Sequence, residues 1–155
     1  MGWSDTCVDF GCGTEELGKL FTNDHAGNYR GIDISDEAVR VAHDDRVSVG
    51  DVYKEVVSTP SEQVYAFLEV LEHINDLQAL CGIPSGKRII FSVPSFDDPG
   101  HLRVFRDVGQ VGMRYGGVLD ILRVVIFLWD DVLRKWRSDI QPTNNRIFLA
   151  DAIKV

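Results

Sequence analysis

Short apolar or β-branched runs alternate with stretches of helical polar patterning along the chain. The runs fall at Thr6–Phe10, Tyr29–Asp33, Arg46–Val49, Val64–Leu68 and Arg88–Val93, with two more near Val118–Leu128 and Arg146–Val155. Each has the length and residue types of a strand. Between them the pattern predicts helices over Glu15–Phe21, over Asp36–His43 with Ser35 as N-cap, and over Glu69–Cys81, stopped by Gly82 and Pro84. Another runs from an Asp107 cap to Tyr115. "LWDDVLRKW" has apolar residues at 128, 129, 132, 133 and 136, a helical spacing, though it also extends or follows the sixth strand. Strands alternating with helices predict an α/β fold: a Rossmann-like, doubly wound, mostly parallel seven-stranded sheet. No linker or repeat interrupts residues 1–155, which read as one domain.

Ligands of such a sheet collect at the carboxyl ends of its strands. The first strand ends in "VDFGCGTEELGKLF", with two glycines directly after the apolar run, and Asp33 lies twenty residues beyond Gly13 at the end of the second strand. This is the start of a nucleotide-binding βαβ unit. A dinucleotide would set its pyrophosphate on the N-terminus of the following helix. Here Asp9, Glu15 and Glu16 surround that position, and the third glycine of G-x-G-x-x-G is replaced by Glu16. Carboxylates would repel a pyrophosphate; they suit a nucleoside without phosphate that carries positive charge.

S-adenosylmethionine, with its sulfonium and ammonium groups, is such a ligand, and the sequence resembles the class I methyltransferases. "CVDFGCGTE" matches their first motif at Asp9, Gly11 and Gly13 and departs at Glu15, where the family usually has glycine. The resemblance continues through "GIDISDEAVRVAH", "VSVGDVY", "FLEVLEHI" and "GKRIIFSVPSF", covering residues 6 to about 105. It implies that Asp9 meets the methionine ammonium, directly or through water. Gly11 and Gly13 would let the backbone approach the methionine part. Asp33 would accept from the ribose hydroxyls with Ile34 packed on the adenine, and Asp51 would accept from the adenine amino group beside Val52. Turn or cap chemistry is the alternative role of Asp33 and Asp51. Members of the family carry helices ahead of the first strand, whereas this chain starts almost on it. The resemblance therefore implies an open site, or one closed by residues 95–145 or by a partner subunit such as a second copy.

In "EVLEHI", Glu69, Glu72 and His73 stand at i, i+3 and i+4, one face of a helix, and His101 follows the next strand. Two carboxylates and two imidazoles suit Mg2+ or Mn2+. The arrangement is similar to that of small-RNA 3′-terminal 2′-O-methyltransferases and, in its "EVLEH" core, of ubiquinone-biosynthesis O-methyltransferases. That likeness implies a metal on Glu69, Glu72, His73 and His101 holding the acceptor, with Glu69 and His73 as catalytic residues. Without metal, His73 would simply cap or pack. No N-P-P-Y-like sequence follows the fourth strand and no Pro-Cys pair occurs, which excludes amino-directed and C5-cytosine DNA methylation of the usual kinds. Phe96, Arg103, Phe105, Arg106, Arg114 and Tyr115 are the substrate-side candidates.

Charge adds to this picture. Net charge is −8, with five basic against 16 acidic side chains up to residue 85 and 11 against eight from residue 86 on. The acidic front half is the cofactor-binding half, the back half faces substrate, and the basic balance there favours an anionic acceptor, while long nucleic acid is not expected to bind the acidic whole. No apolar run approaches the ~20 residues needed to cross a bilayer, so no membrane association is expected. Three cysteines without paired spacing and no secretory signal fit a cytoplasmic protein. The expected function is methyl transfer from S-adenosylmethionine to oxygen, less readily to nitrogen, of a small or nucleotide-like acceptor. A non-catalytic module that binds the same cofactor as a scaffold or regulatory subunit is the alternative.

Overall fold

The computed structural model describes residues 6–21, 28–130, 135–137 and 145–155. Five strands pair in parallel: β1 (Cys7–Phe10), β2 (Tyr29–Asp33), β3 (Val47–Val49), β4 (Val64–Leu68) and β5 (Arg88–Pro94). Three more join antiparallel: β6 (Leu119–Asp130), β7 (Lys135–Arg137) and β8 (Arg146–Lys154). The order is β3-β2-β1-β4-β5-β8-β6-β7. The seven expected strands are all present, and the three-residue β7 extends the edge beyond β6. β8 lies between β5 and β6, in register with β5 from Arg88↔Ile153 to Pro94↔Ile147. Among the described residues no helix is long and apolar enough to cross a membrane.

One face of the sheet presents Val8, Phe10, Ile32, Tyr65, Phe67, Ile89, Phe91 and Phe148. It is covered by α2 (Val52–Ser58), α3 (Asp76–Cys81) and α4 (Val108–Tyr115) through Val56, Leu80, Val111 and Tyr115. Burying each large side chain contributes roughly 1.5–3 kcal/mol. On the opposite face, Tyr29 and Val47 meet Val39 and Ala42 of α1 (Asp36–Ala42), and Leu17 and Phe21 of the segment after β1. The predicted caps form: Ser35 Oγ accepts from the Ala38 N–H at 3.2 Å, and Asp107 Oδ1 from Gln110 at 2.9 Å.

Two expectations are corrected, one helix is added and one open reading is decided. Glu15–Phe21 is not an α-helix but a series of turns with a single 3-10 turn at Gly18–Leu20. Glu15 is left-handed, with φ +71°, which no α-helix accommodates. The helix expected from Glu69 begins only at Asp76. Glu69 has φ +56°, and backbone groups that would build the earlier turns are diverted. Arg103 takes the Leu71 and Ile74 carbonyls, the Leu102 N–H donates to the Glu72 carbonyl, and the Asn75 N–H donates to the Tyr53 hydroxyl. α2 is a helix the pattern did not predict, because its valines look like strand residues. For "LWDDVLRKW" the strand reading holds over the helical one: Leu128–Asp130 extend β6 and pair antiparallel with Lys135–Arg137; residues 131–134 lie outside the described residues.

Candidate active site

Strand order reverses at β1, whose neighbours β2 and β4 lead away in opposite directions, and this opens a crevice over their carboxyl ends. A cleft of about 350 Å3 lies there, within the range of small-molecule sites. Gly11, Asp33, Ile34, Asp51, Val52, Glu69 and His73 all line it. Asp9 and Gly13 do not.

The glycine loop is tied to the end of β2. Gly11 and Cys12 N–H groups both donate to the Ile32 carbonyl, at 2.7 and 3.2 Å, and the Gly13 N–H donates to Asp33 Oδ2 at 2.8 Å. Gly11 has φ +68°, and a Cβ there would lie 2.5 Å from a Val70 methyl, so only glycine fits. Glu15 keeps the left-handed backbone that a glycine would adopt, and its side chain turns inward. It is 5% exposed and ion-paired with Arg46, which also holds Asp44 at 2.6 Å. Glu16 points to solvent and pairs with Lys19 at 2.5 Å. The expectation that both carboxylates crowd the ligand end of the loop is therefore corrected: Arg46 draws Glu15 away from it.

Asp33 has a structural task as well as a place in the cleft, since Oδ1 accepts from the Ser35 N–H at 2.8 Å while Oδ2 holds Gly13. Each oxygen retains a second lone pair. Asp51 caps α2 by accepting from the Tyr53 N–H at 2.9 Å. Ile34, 78% exposed, offers an apolar platform at the cleft. Asp9 is buried beneath the loop and accepts from the Tyr29 hydroxyl at 2.9 Å. Burial pushes its carboxyl up to about 6, the Tyr29 bond opposing and the Asp33 charge adding. Tyr53 and Val70 also line the cleft and were missed in the sequence. Tyr53 lies two residues past Asp51, where a helix N-terminus would have placed it had α2 been recognised.

The four expected metal ligands, of which Glu69 and His73 line the cleft, separate into one and three. The Glu69 N–H donates to Ser92 Oγ at 2.9 Å, and that hydroxyl donates to Glu69 Oε1 at 2.6 Å. Burial raises the Glu69 carboxyl, Ser92 and both histidines opposing. Glu72, His73 and His101 come together, their ligand atoms all within 4.8 Å of one another. The helical face expected to join Glu69 to them does not exist, because Glu69 lies outside any helix.

Glu72 is fully buried, and among the described residues its two oxygens are the buried side-chain atoms without a hydrogen-bond partner. Burial, reinforced by the Glu69 charge and opposed by Arg103, pushes its carboxyl up to about 8. His73 Nδ1 lies 3.2 Å from the Gly100 carbonyl and His101 Nδ1 3.2 Å from that of Phe96. A carbonyl only accepts, so each Nδ1 carries the proton and each Nε2 is left as a lone-pair donor; His73 Nε2 is 4.0 Å from Glu72 Oε1. Imidazoles fixed in this way and an unsatisfied carboxylate form a donor set that could hold a metal ion.

The other substrate-side candidates are mostly structural. Phe105 and Tyr115 are core residues. Asp76, fully buried, accepts from Arg114 at 2.6 and 3.1 Å and from the Tyr115 hydroxyl at 3.0 Å, with Arg103 at 3.3 Å. Burial alone would raise its carboxyl; these donors hold it below the usual range.

No protein-family model and no curated protein matches the sequence. Solved structures do resemble the fold. A SAM-dependent methyltransferase from Archaeoglobus fulgidus aligns at TM-score 0.65 and 17% identity, over 95% of this chain and 86% of that one. The N-methyltransferase NodS from Bradyrhizobium japonicum WM9, in complex with S-adenosyl-L-homocysteine, aligns at 0.65 and 15%, over 97% and 78%. A SAM-dependent methyltransferase from Methanosarcina mazei aligns at 0.65 and 13%, over 100% and 94%. The chain has the Rossmann-like α/β fold of these class I S-adenosylmethionine-dependent methyltransferases.

Proposed function

We propose that the protein is an S-adenosylmethionine-dependent methyltransferase acting on an acceptor oxygen. The observation that carries this reading is the juxtaposition, at one set of strand ends, of the Gly11–Asp33–Asp51 cleft with Glu69 and His73. Asp33 would hold the ribose, Asp51 and Ile34 the adenine, and Gly11 and Gly13 would admit the methionine part, with Asp9 acting on its ammonium from below. The cofactor supplies a methyl group on a positively charged sulfur, and transfer needs an acceptor aligned with it and relieved of its proton. Glu69 is suited to take that proton: Ser92 fixes Oε1 and leaves Oε2 uncommitted.

We further propose that Glu72, His73 and His101 hold a divalent ion. One carboxylate and two imidazole nitrogens suit Mn2+ better than Mg2+, which prefers an all-oxygen shell. When bound, the ion would hold the acceptor oxygen and favour its ionised form. The acceptor we favour is a small or nucleotide-like molecule with an anionic group, on the charge balance of residues 86–155, and we place the protein in the cytoplasm.

Calorimetric titration tests the cofactor: S-adenosylmethionine and S-adenosylhomocysteine should bind and NAD should not, and tighter NAD binding overturns the assignment. His73→Ala should abolish Mn2+ binding and metal-dependent transfer while leaving S-adenosylhomocysteine affinity within about twofold, because His73 serves the acceptor side. Activity that survives both chelator and His73→Ala removes the metal. Cofactor binding without transfer to any acceptor in a broad panel leaves the non-catalytic module.

A further inference from the structure

Arg46, the residue before β3, gathers groups from three parts of the chain. Its Nε donates to Asp44 at 2.9 Å, Nη1 donates to the Phe21 carbonyl at 3.2 Å, and Nη2 reaches the Glu15 carboxylate. The guanidinium lies 5.3 Å over the Tyr29 ring, whose hydroxyl in turn holds Asp9. Gly18 leaves room for this inward turn, since a Cβ there would lie 2.5 Å from Glu15 Cγ. Among the described residues up to Phe21, no α-helix follows the glycine loop to brace it. Glu15 nevertheless holds φ +71°, a conformation an L side chain resists unless something outside the local backbone retains it.

We infer that Arg46 is a positioning residue for the glycine loop. By seizing the Glu15 carboxylate it maintains the left-handed turn that closes the glycine loop and sets Gly11 in the cleft, a turn a glycine at position 15 would make unaided. Arg46 does not line the cleft and acts through Glu15. The inference rests on the reading that this cleft binds S-adenosylmethionine, and it predicts a coupling in ligand binding and loop exchange that an ion pair serving global stability alone lacks: Arg46 acts on the loop chiefly through the Glu15 side chain.

The test is a double-mutant cycle of Arg46→Met and Glu15→Gly, read by S-adenosylhomocysteine titration and by amide hydrogen exchange at Cys12, Gly13 and Glu15 in the ligand-free protein. Arg46→Met alone should weaken binding at least tenfold and speed exchange of those amides at least tenfold, with β4 amides unchanged. In the Glu15→Gly background, read at Cys12 and Gly13, both effects should fall below twofold. Arg46→Lys, which keeps the charge and serves if the methionine variant does not fold, should recover most of the loss. Equal effects in both backgrounds, or loop exchange unaltered by Arg46→Met, overturn the inference. If the unmutated protein fails to bind S-adenosylhomocysteine while loop exchange follows the expected pattern, the cofactor reading falls and the positioning role stands.

Discussion

Glu72 is the residue on which the proposed chemistry and the stability of the fold conflict most directly. Its carboxyl is raised from the usual range to about 8, so the folded protein retains a proton that the unfolded chain releases. That contribution is fully present below the unfolded value near 4.5 and is lost as pH rises through about 8. Metal-free protein should therefore lose stability between about pH 4.5 and 8, by up to roughly 3–5 kcal/mol from this group, and level off above that. Glu72→Gln, which cannot ionise, should lack that component. Urea unfolding of both proteins in chelator checks this, and equal losses would mean that Glu72 ionises without penalty. The same proton competes with an ion. Mn2+ affinity should rise as much as tenfold per pH unit below about 8 and then level off. A flat profile would mean Glu72 is not a ligand.

At the level of elements, much was legible in the sequence. All seven expected strands lie in runs rich in β-branched or aromatic residues, and the caps at Ser35 and Asp107 follow from local chemistry. What escaped was fixed from a distance. The late start of α3 depends on Arg103, thirty-two residues beyond Leu71, and on the Tyr53 hydroxyl, neither visible in the local pattern. The inward turn of Glu15 depends on Arg46 in the same way. At the site, the glycine loop and the Glu72–His73–His101 cluster were readable as motifs, whereas the exclusion of Glu69 followed from a backbone angle that no spacing reveals. The two kinds of anchor should differ in strength. Asp76→Ala leaves Arg103 and Arg114 without their buried carboxylate and should cost roughly 3–5 kcal/mol. Asp107→Ala removes one exposed cap bond and should cost about 1 kcal/mol. Chemical denaturation of the two variants measures the contrast, and comparable losses would mean the Asp76 cluster contributes no more than a surface cap.

Over the whole molecule, charge is segregated: the half that builds the cleft is strongly acidic. S-adenosylmethionine carries one positive charge more than its demethylated product, so the field should draw the substrate in and hold the product less. Raising salt from about 50 to 500 mM should slow association of S-adenosylmethionine severalfold and that of S-adenosylhomocysteine far less. Stopped-flow measurements decide it, and identical salt dependence would assign the field no part in encounter. The position of β8 has a consequence of another kind. Its residues follow β6 and β7 in the chain, yet they occupy the gap between β5 and β6 and satisfy the ladders of both. While the protein is being made, β1 to β5 can emerge and pair in turn and β6 can pair with β7, but the facing edges of β5 and β6 have no strand between them until Arg146–Lys154 leave the ribosome. The nascent chain thus carries two open β edges until β8 emerges, the interval in which it is most exposed to aggregation and to chaperone capture.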